Sequence, residues 1–384
     1  MGTVRPPKAA REKFSRKNAM KIISKKADVI IIAVCAALIV LGMAVLASAS
    51  SNMGEIKFGD AYYFIKHQFI FGFGIGLAAF LAAMFVPLKF LKKIAFVLLL
   101  LNIVGLVLVF TPLGGDFGTS NRWLDIAGFP VQPSEVLKLT FIIYIAAWLT
   151  SKGRDRKKDM SEGLIPFMII CAVIGGLLIA QPSTSILVII MLSALIVYFV
   201  SGMKLSFIAI MGLVGILALT LVIVFSPYRL ERFAAYFNPD SDVRDSSYHL
   251  NQSLITIGSG GITGVGYGKS TLKVSSLPEP FGDSIFAVIA EEFGFIGSMF
   301  FISLYFLLVY AGFVGSARTH TDFGKLLLVG FSSIIGLQAF THIASVSSLI
   351  PMTGIPLPFI SYGGTALVTF MAMAGLMVNA LRHG

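Results

Sequence analysis

Seven long apolar stretches of this chain contain no Asp, Glu, Lys or Arg: 29–54, 67–88, 94–115, 163–203, 205–228, 293–317 and 326–381. An uncharged apolar run of about 18 residues or more reads as a membrane span. In lipid the backbone must satisfy its own hydrogen bonds, so such runs form helices rather than open strands. Two runs, of 41 and 56 residues, are too long for one crossing. Gln181-Pro182-Ser183 divides the first, and Pro351 to Pro358, with Gly354 and Pro356 between them, divides the second. A tenth helix is shorter and opens with charge at Glu135 and Lys138. The predicted helices cover 29–48, 67–87, 94–111, 134–150, 164–180, 184–202, 205–226, 284–314, 326–350 and 359–381. Composition agrees: 56% of residues are hydrophobic and 13% charged, about half the charge of a soluble domain. That excludes an ordinary cytosolic enzyme, a disordered chain and a disulfide-rich secreted module. The expected fold is an all-α integral membrane protein with ten transmembrane helices.

Basic residues set the expected orientation. Nine Lys and Arg precede Asp28, and the later loops on that side raise the total to 21, against nine on the other side. Positive charge marks the cytoplasmic side, so both termini are expected there. The net charge of +11 is read as topology signal plus contact with anionic lipid; no nucleic-acid motif accompanies it. Residues 1–28 form a basic cytoplasmic tail and 29–384 the membrane domain. The run from 29 to 46 followed by Ala47-Ser48-Ala49 imitates a signal peptide, but it exceeds the usual core of about 7–15 residues and is read as an uncleaved anchor. Cys35 and Cys171 both fall inside spans and imply neither disulfide nor metal.

The outer loops carry the chemistry. One, 227–283, is 57 residues long, far above the usual connection, and lies between the seventh and eighth helices. Within it YRLERFAAYF and YHLNQSLITIG have helical spacing. GSGGITGVGYGKS imitates a phosphate loop, but Thr263 stands where a Walker A needs glycine. Its glycines are read as permitting close backbone approach. Ionisable groups at membrane depth cost free energy unless paired or facing a wet cavity. Glu135 and Lys138, at i,i+3, share one face of the fourth helix. Glu279, Asp283, Glu291 and Glu292 form a second group where the eighth helix begins; Asp283 there also suits a helix N-cap. His342 reads as a core residue.

The segments NRWLDIAGFPVQPSEVLKL, LPEPFGDSIFAVIAEEFGFIG and TGIPLPFISYGG, with the long loop between the first two, resemble the SEDS family (shape, elongation, division and sporulation proteins) of FtsW and RodA type. The resemblance covers all but the basic tail. It implies ten helices with both ends inside. It also implies a peptidoglycan glycosyltransferase that polymerises lipid II at the outer face of the bacterial cytoplasmic membrane, paired with a class B penicillin-binding protein. The long tail and the GDSIFAVIAEE form point to the division branch, hence to the septum and other division proteins. By the resemblance Asp283 is the catalytic carboxylate, and Glu279, Arg122, Trp123, Glu135 and Lys138 contact substrate, with Arg122 and Lys138 on the phosphate side. No resident metal is assigned; a divalent cation such as Mg or Mn is a candidate helper. The chain departs from the family pattern at Phe281-Gly282 (usually His-Thr), at Ser183 (usually Asp) and at Ser275 or Ser276 (often acidic). A lipid II flippase and a non-catalytic division scaffold are the alternative functions.

Overall fold

The computed structural model describes residues 26–115, 122–126, 128–151, 159–227, 229, 230, 232, 236, 246–275 and 277–384. The basic tail before residue 26, most of YRLERFAAYF and Ser276 lie outside them. Ten long helices are described: α1 (Ala27–Phe58), α2 (Tyr63–Phe85), α3 (Leu88–Leu108), α4 (Pro133–Leu149), α5 (Met160–Ala180), α6 (Thr184–Val200), α7 (Leu205–Val224), α8 (Ile285–Ser316), α9 (Asp322–Val346) and α10 (Gly364–His383). All but α4 and α6 are long and apolar enough to cross a membrane, which makes eight candidate spans among the described residues. The other two have 17 residues each, a rise of about 26 Å. The protein is a multi-pass membrane protein.

Burial follows from how apolar each helix is around its circumference. A helix apolar on all sides belongs either in a core or against lipid, and both occur. On α4, Leu137, Phe141, Ile142 and Ile145 are fully buried, packed among α3, α6, α9 and α10. By contrast α7 exposes Leu213, Ile216, Leu217 and Leu221. Phe85, Phe96 and Phe306 are likewise open. Such a belt of large apolar side chains is what lipid, not water, covers. Within α2, residues Gln68–Gly74 are wound as a π-helix, the local widening often found at functional sites.

Two features depart from the sequence reading. The first is a small antiparallel sheet in the loop before α4: β1 (Gly114–Gly115), β2 (Trp123–Ile126) and β3 (Phe129–Val131), in the order β1-β2-β3. The fold is therefore helical with one small sheet, not all-α. The second is a break in α8. Gly294 has φ 65° and ψ −165°, so the helix stops and restarts. Its freed backbone groups are taken up by the glycine-rich loop. Val265 and Gly266 N–H donate to the Glu291 and Glu292 carbonyls at 3.0 Å, and Phe295 N–H donates to Gly261 at 2.9 Å. Buried backbone groups freed by a break must find such partners. A Cβ on Gly294 would lie 2.3 Å from Gly264 N, and one on Gly264 would lie 2.2 Å from the Glu292 carbonyl oxygen. Gly294→Ala is accordingly expected to free the loop. Amide exchange at residues 261–266 should rise and the melting temperature should fall; unchanged exchange there would show that the loop does not depend on the break.

The same loop supplies the partners of the two buried glutamates. Ser270 Oγ and Thr271 N–H donate to Glu291. Lys273 Nζ pairs with Glu292 at 2.8 Å and donates to Ser48 Oγ of α1 at 2.6 Å. The Ser48 hydroxyl in turn donates to Glu292. This cluster clamps the first half of α8 between the loop and α1.

Candidate active site

Asp283 sits in the turn that leads into α8. In the preceding Leu277-Pro278-Glu279 stretch Glu279 takes φ 43°, a conformation that costs a non-glycine residue energy. The Glu279 carbonyl accepts from Gly282 N–H at 3.1 Å and Ser284 N–H at 3.3 Å, which closes the turn. The N-cap position belongs to Ser284, and no side chain caps the helix. The N-cap role open to Asp283 on sequence grounds is therefore not its role here. Its carboxylate accepts no hydrogen bond from the described residues.

The loop between α9 and α10 covers this turn. Gly354, at φ +61°, lets the loop approach so closely that a Cβ there would lie 3.1 Å from Asp283 Oδ2. Tyr362 N–H donates to the Phe281 carbonyl and Ser361 Oγ to that of Gly282, both at 2.9 Å. Burial, and then the charge of Glu279, push the Asp283 carboxyl up to about 7, while Arg232 and Arg122 pull the other way. A carboxyl held near neutrality is a suitable proton acceptor.

Both arginines are fixed by backbone carbonyls. Arg122 donates through Nε to Gln181 at 3.1 Å and through Nη2 to Pro182 at 2.9 Å, across the gap between α5 and α6. Pro182 itself takes φ 28°, and buried Ser183 donates to the Gln181 carbonyl at 3.1 Å. Arg232 donates to the Met352 carbonyl at 3.3 Å. These contacts leave two cations near one carboxyl, a field suited to a group that gains negative charge. Trp123 is partly buried beside Arg122 at the start of β2.

Glu135 and Lys138 are placed differently. They form a 2.6 Å ion pair, with side chains 1% and 0% exposed. Lys138 also donates to Gln338 Oε1 at 2.6 Å and lies 4.8 Å from the Phe370 ring centre. Gln338 Nε2 donates to the Pro356 carbonyl at 2.8 Å, and His342 Nδ1 bonds the Ile355 carbonyl at 2.7 Å. The amine of Lys138 is engaged inside the bundle. Through Gln338 the pair is linked to the Pro356 carbonyl of the 354–358 loop, whose Gly354 lies against Asp283.

Sequence reasoning did not single out Arg232, Gln338, Ser361 or Tyr362, and it took Gly354 only as a break between helices. Gly354, Ser361 and Tyr362 lie inside a quoted motif, TGIPLPFISYGG, that carried no assigned roles. Gln338 left a weak signal, an amide at membrane depth one helical turn from His342. Arg232 left only its charge within YRLERFAAYF, a stretch of helical spacing.

The sequence matches the FtsW/RodA/SpoVE family of cell cycle proteins over residues 28–384. It is 34% identical over 353 residues to the probable peptidoglycan glycosyltransferase FtsW of Geobacter sp. (strain M18), covering 92% of this chain and 96% of that protein. To the probable peptidoglycan glycosyltransferase FtsW of Marinobacter nauticus it is 37% identical over 344 residues, covering 88% and 85%. Its fold is similar to that of a chain in a peptidoglycan synthase complex that coordinates polymerization and crosslinking. The TM-score there is 0.74 at 24% identity, covering 92% of this chain and 96% of that one.

Proposed function

The chain belongs to the FtsW/RodA/SpoVE family of cell cycle proteins, and from that membership we propose that it is a peptidoglycan glycosyltransferase of the division type. It polymerises lipid II at the outer face of the cytoplasmic membrane. The relatives' names supply the activity; the placement of Asp283 carries the mechanism. In this reading all ten long helices cross the bilayer, both termini are cytoplasmic and the 227–283 loop faces outward. The protein works at the division septum with a class B penicillin-binding protein and other division proteins.

The reaction joins two sugars. The 4-hydroxyl oxygen of one N-acetylglucosamine attacks C1 of an N-acetylmuramic acid. Its proton passes to the Asp283 carboxylate and then to water. The bond from C1 to the lipid pyrophosphate breaks, and its electron pair leaves with the pyrophosphate. An alcohol is a weak nucleophile at neutral pH, so a base at the hydroxyl is what the step needs. Arg122 and Arg232 offset the charge gathering on the leaving group, Glu279 keeps the Asp283 proton affinity high, and Trp123 packs on sugar or isoprenoid. One displacement at C1 inverts the anomeric configuration. Among the described residues no group of three or more His, Cys, Asp or Glu is gathered into a metal site. A divalent cation that takes part would arrive on the pyrophosphate.

The direct test mixes folded protein with labelled lipid II, alone and with the cognate class B penicillin-binding protein. Glycan polymer is expected in the second case. No polymer from a well-folded complex would overturn the reading.

A further inference from the structure

We infer that Phe281 is a positioning residue that holds Asp283 through a ring cluster formed with Phe64 of α2 and Tyr362 of the α9–α10 loop. The inference rests on the reading of Asp283 as the base. Phe281 stacks on Phe64 with centroids 4.6 Å apart and meets Tyr362 edge-on at 5.9 Å. Phe64 and Tyr362 close the triangle edge-to-face at 5.2 Å. Edge-to-face and offset-stacked pairs are the preferred aromatic geometries, and a triangle of them leaves each ring little freedom.

The backbone ties the triangle to the reacting group. The Tyr362 N–H bonds the Phe281 carbonyl, and the Ser361 hydroxyl, itself accepting from Leu357 N–H at 2.8 Å, bonds that of Gly282. The far side is anchored to α2. The Tyr362 hydroxyl and His67 Nδ1 share a hydrogen bond of 3.0 Å, and Gly363 N–H donates to buried Gln68 Oε1 at 3.1 Å. Gln68 opens the π-helical stretch, where the helix is rewound. Phe281 and Gly282 offer no side-chain hydrogen bond of their own. The hold on the next residue, Asp283, therefore passes through a ring and two carbonyls. Phe281 touches no reacting atom and acts on Asp283.

Among the described residues, the charged and titratable groups around Asp283 are Glu279 on its own turn, Arg122, Arg232, Tyr362 and, beyond it, His67. Removing the Phe281 ring changes none of them but lets water nearer the carboxyl. The test compares Phe281→Ala, Phe281→Leu and Phe281→Tyr with the wild type, each in complex with the partner transpeptidase. Three readouts are taken: kcat and KM on lipid II, the midpoint of the acid limb of kcat, and amide exchange at Gly282, Ser284 and Tyr362. Displacement by about an ångström costs on the order of 10²-fold in rate. That loss is expected in kcat for the alanine variant, with KM nearly unchanged, faster exchange and an acid limb moved to lower pH. The leucine variant, which keeps apolar bulk without a ring, should show the same faster exchange, and the tyrosine variant should restore all three readouts. Unchanged exchange and an unmoved acid limb in folded alanine and leucine variants would overturn the proposal. Exchange needs no turnover. If the wild type makes no polymer, the polymerase reading falls while the exchange data still decide whether Phe281 holds the turn.

Discussion

Asp283→Asn is expected to lower lipid II polymerisation by about 10²–10⁴-fold, the usual worth of a positioned base. The exchange is nearly isosteric, so Gly354 can still cover the turn and substrate affinity should hold. The amide cannot take the hydroxyl proton, and the loss belongs in kcat. The wild-type rate should also fall as pH drops through about 7, the value to which burial and Glu279 raise this carboxyl. The acid limb should vanish from the residual activity of the asparagine variant. Polymer at wild-type rates from the variant would sink Asp283 as base while keeping the enzyme. No polymer from either protein in a folded complex would favour the flippase or the scaffold.

Stability separates lost chemistry from lost fold, and the sign is fixed by the direction of the shift. A folded-state carboxyl raised from 3.8 to about 7 binds its proton more tightly than the unfolded chain does. Its contribution is fully present below 3.8 and is lost as pH rises through 7. Above pH 7 the wild type keeps an ionised group in a poorly hydrated turn. Asp283→Asn removes that cost, so the variant should melt at or above the wild type at about pH 8. A variant that melts well below the wild type there would have lost activity through its fold.

Local physics made the helices readable and left the site's wiring hidden. Uncharged runs bounded by Lys, Arg, Pro and Gly placed most ends of the helices within a few residues, and the i,i+3 spacing of Glu135 and Lys138 already made them neighbours. Gly294 did not announce its break, because a glycine inside an apolar run is common in membrane helices. What makes it a break is a loop some 30 residues earlier in the chain, whose backbone bonds to α8 no periodicity records. The same holds for Lys273, which finds Glu292 across 19 positions, and for Tyr362, which finds His67 across 295. Motif reading singled out Asp283 and Arg122 because their neighbours in sequence carry the pattern. It passed over Arg232 and Gln338 because their contacts come from what folding lays beside them.

Lys138→Met is expected to destabilise the protein by about 3–5 kcal/mol, the cost of leaving a buried partner charge uncompensated. The side chain keeps its length, so little packing is lost. What changes is that Glu135, 1% exposed, faces no cation, while Gln338 loses the donor that fixes its carbonyl oxygen. The double variant Glu135→Gln/Lys138→Met should recover most of the loss, since burying two neutral groups is often as good as burying a pair. Melting in detergent with a double-mutant cycle measures the coupling. Activity should not recover in step. With Lys138 gone, Gln338 is free to turn away from the Pro356 carbonyl, and the loop that sets Gly354 against Asp283 loses one of its ties to the helices, others being His342 to Ile355 and Tyr305 to Pro358. A stable double variant with low kcat and normal KM would mark the pair as support for the aspartate. A stable and fully active one would reduce it to packing, and a single variant losing under about 1 kcal/mol would deny the pair even that.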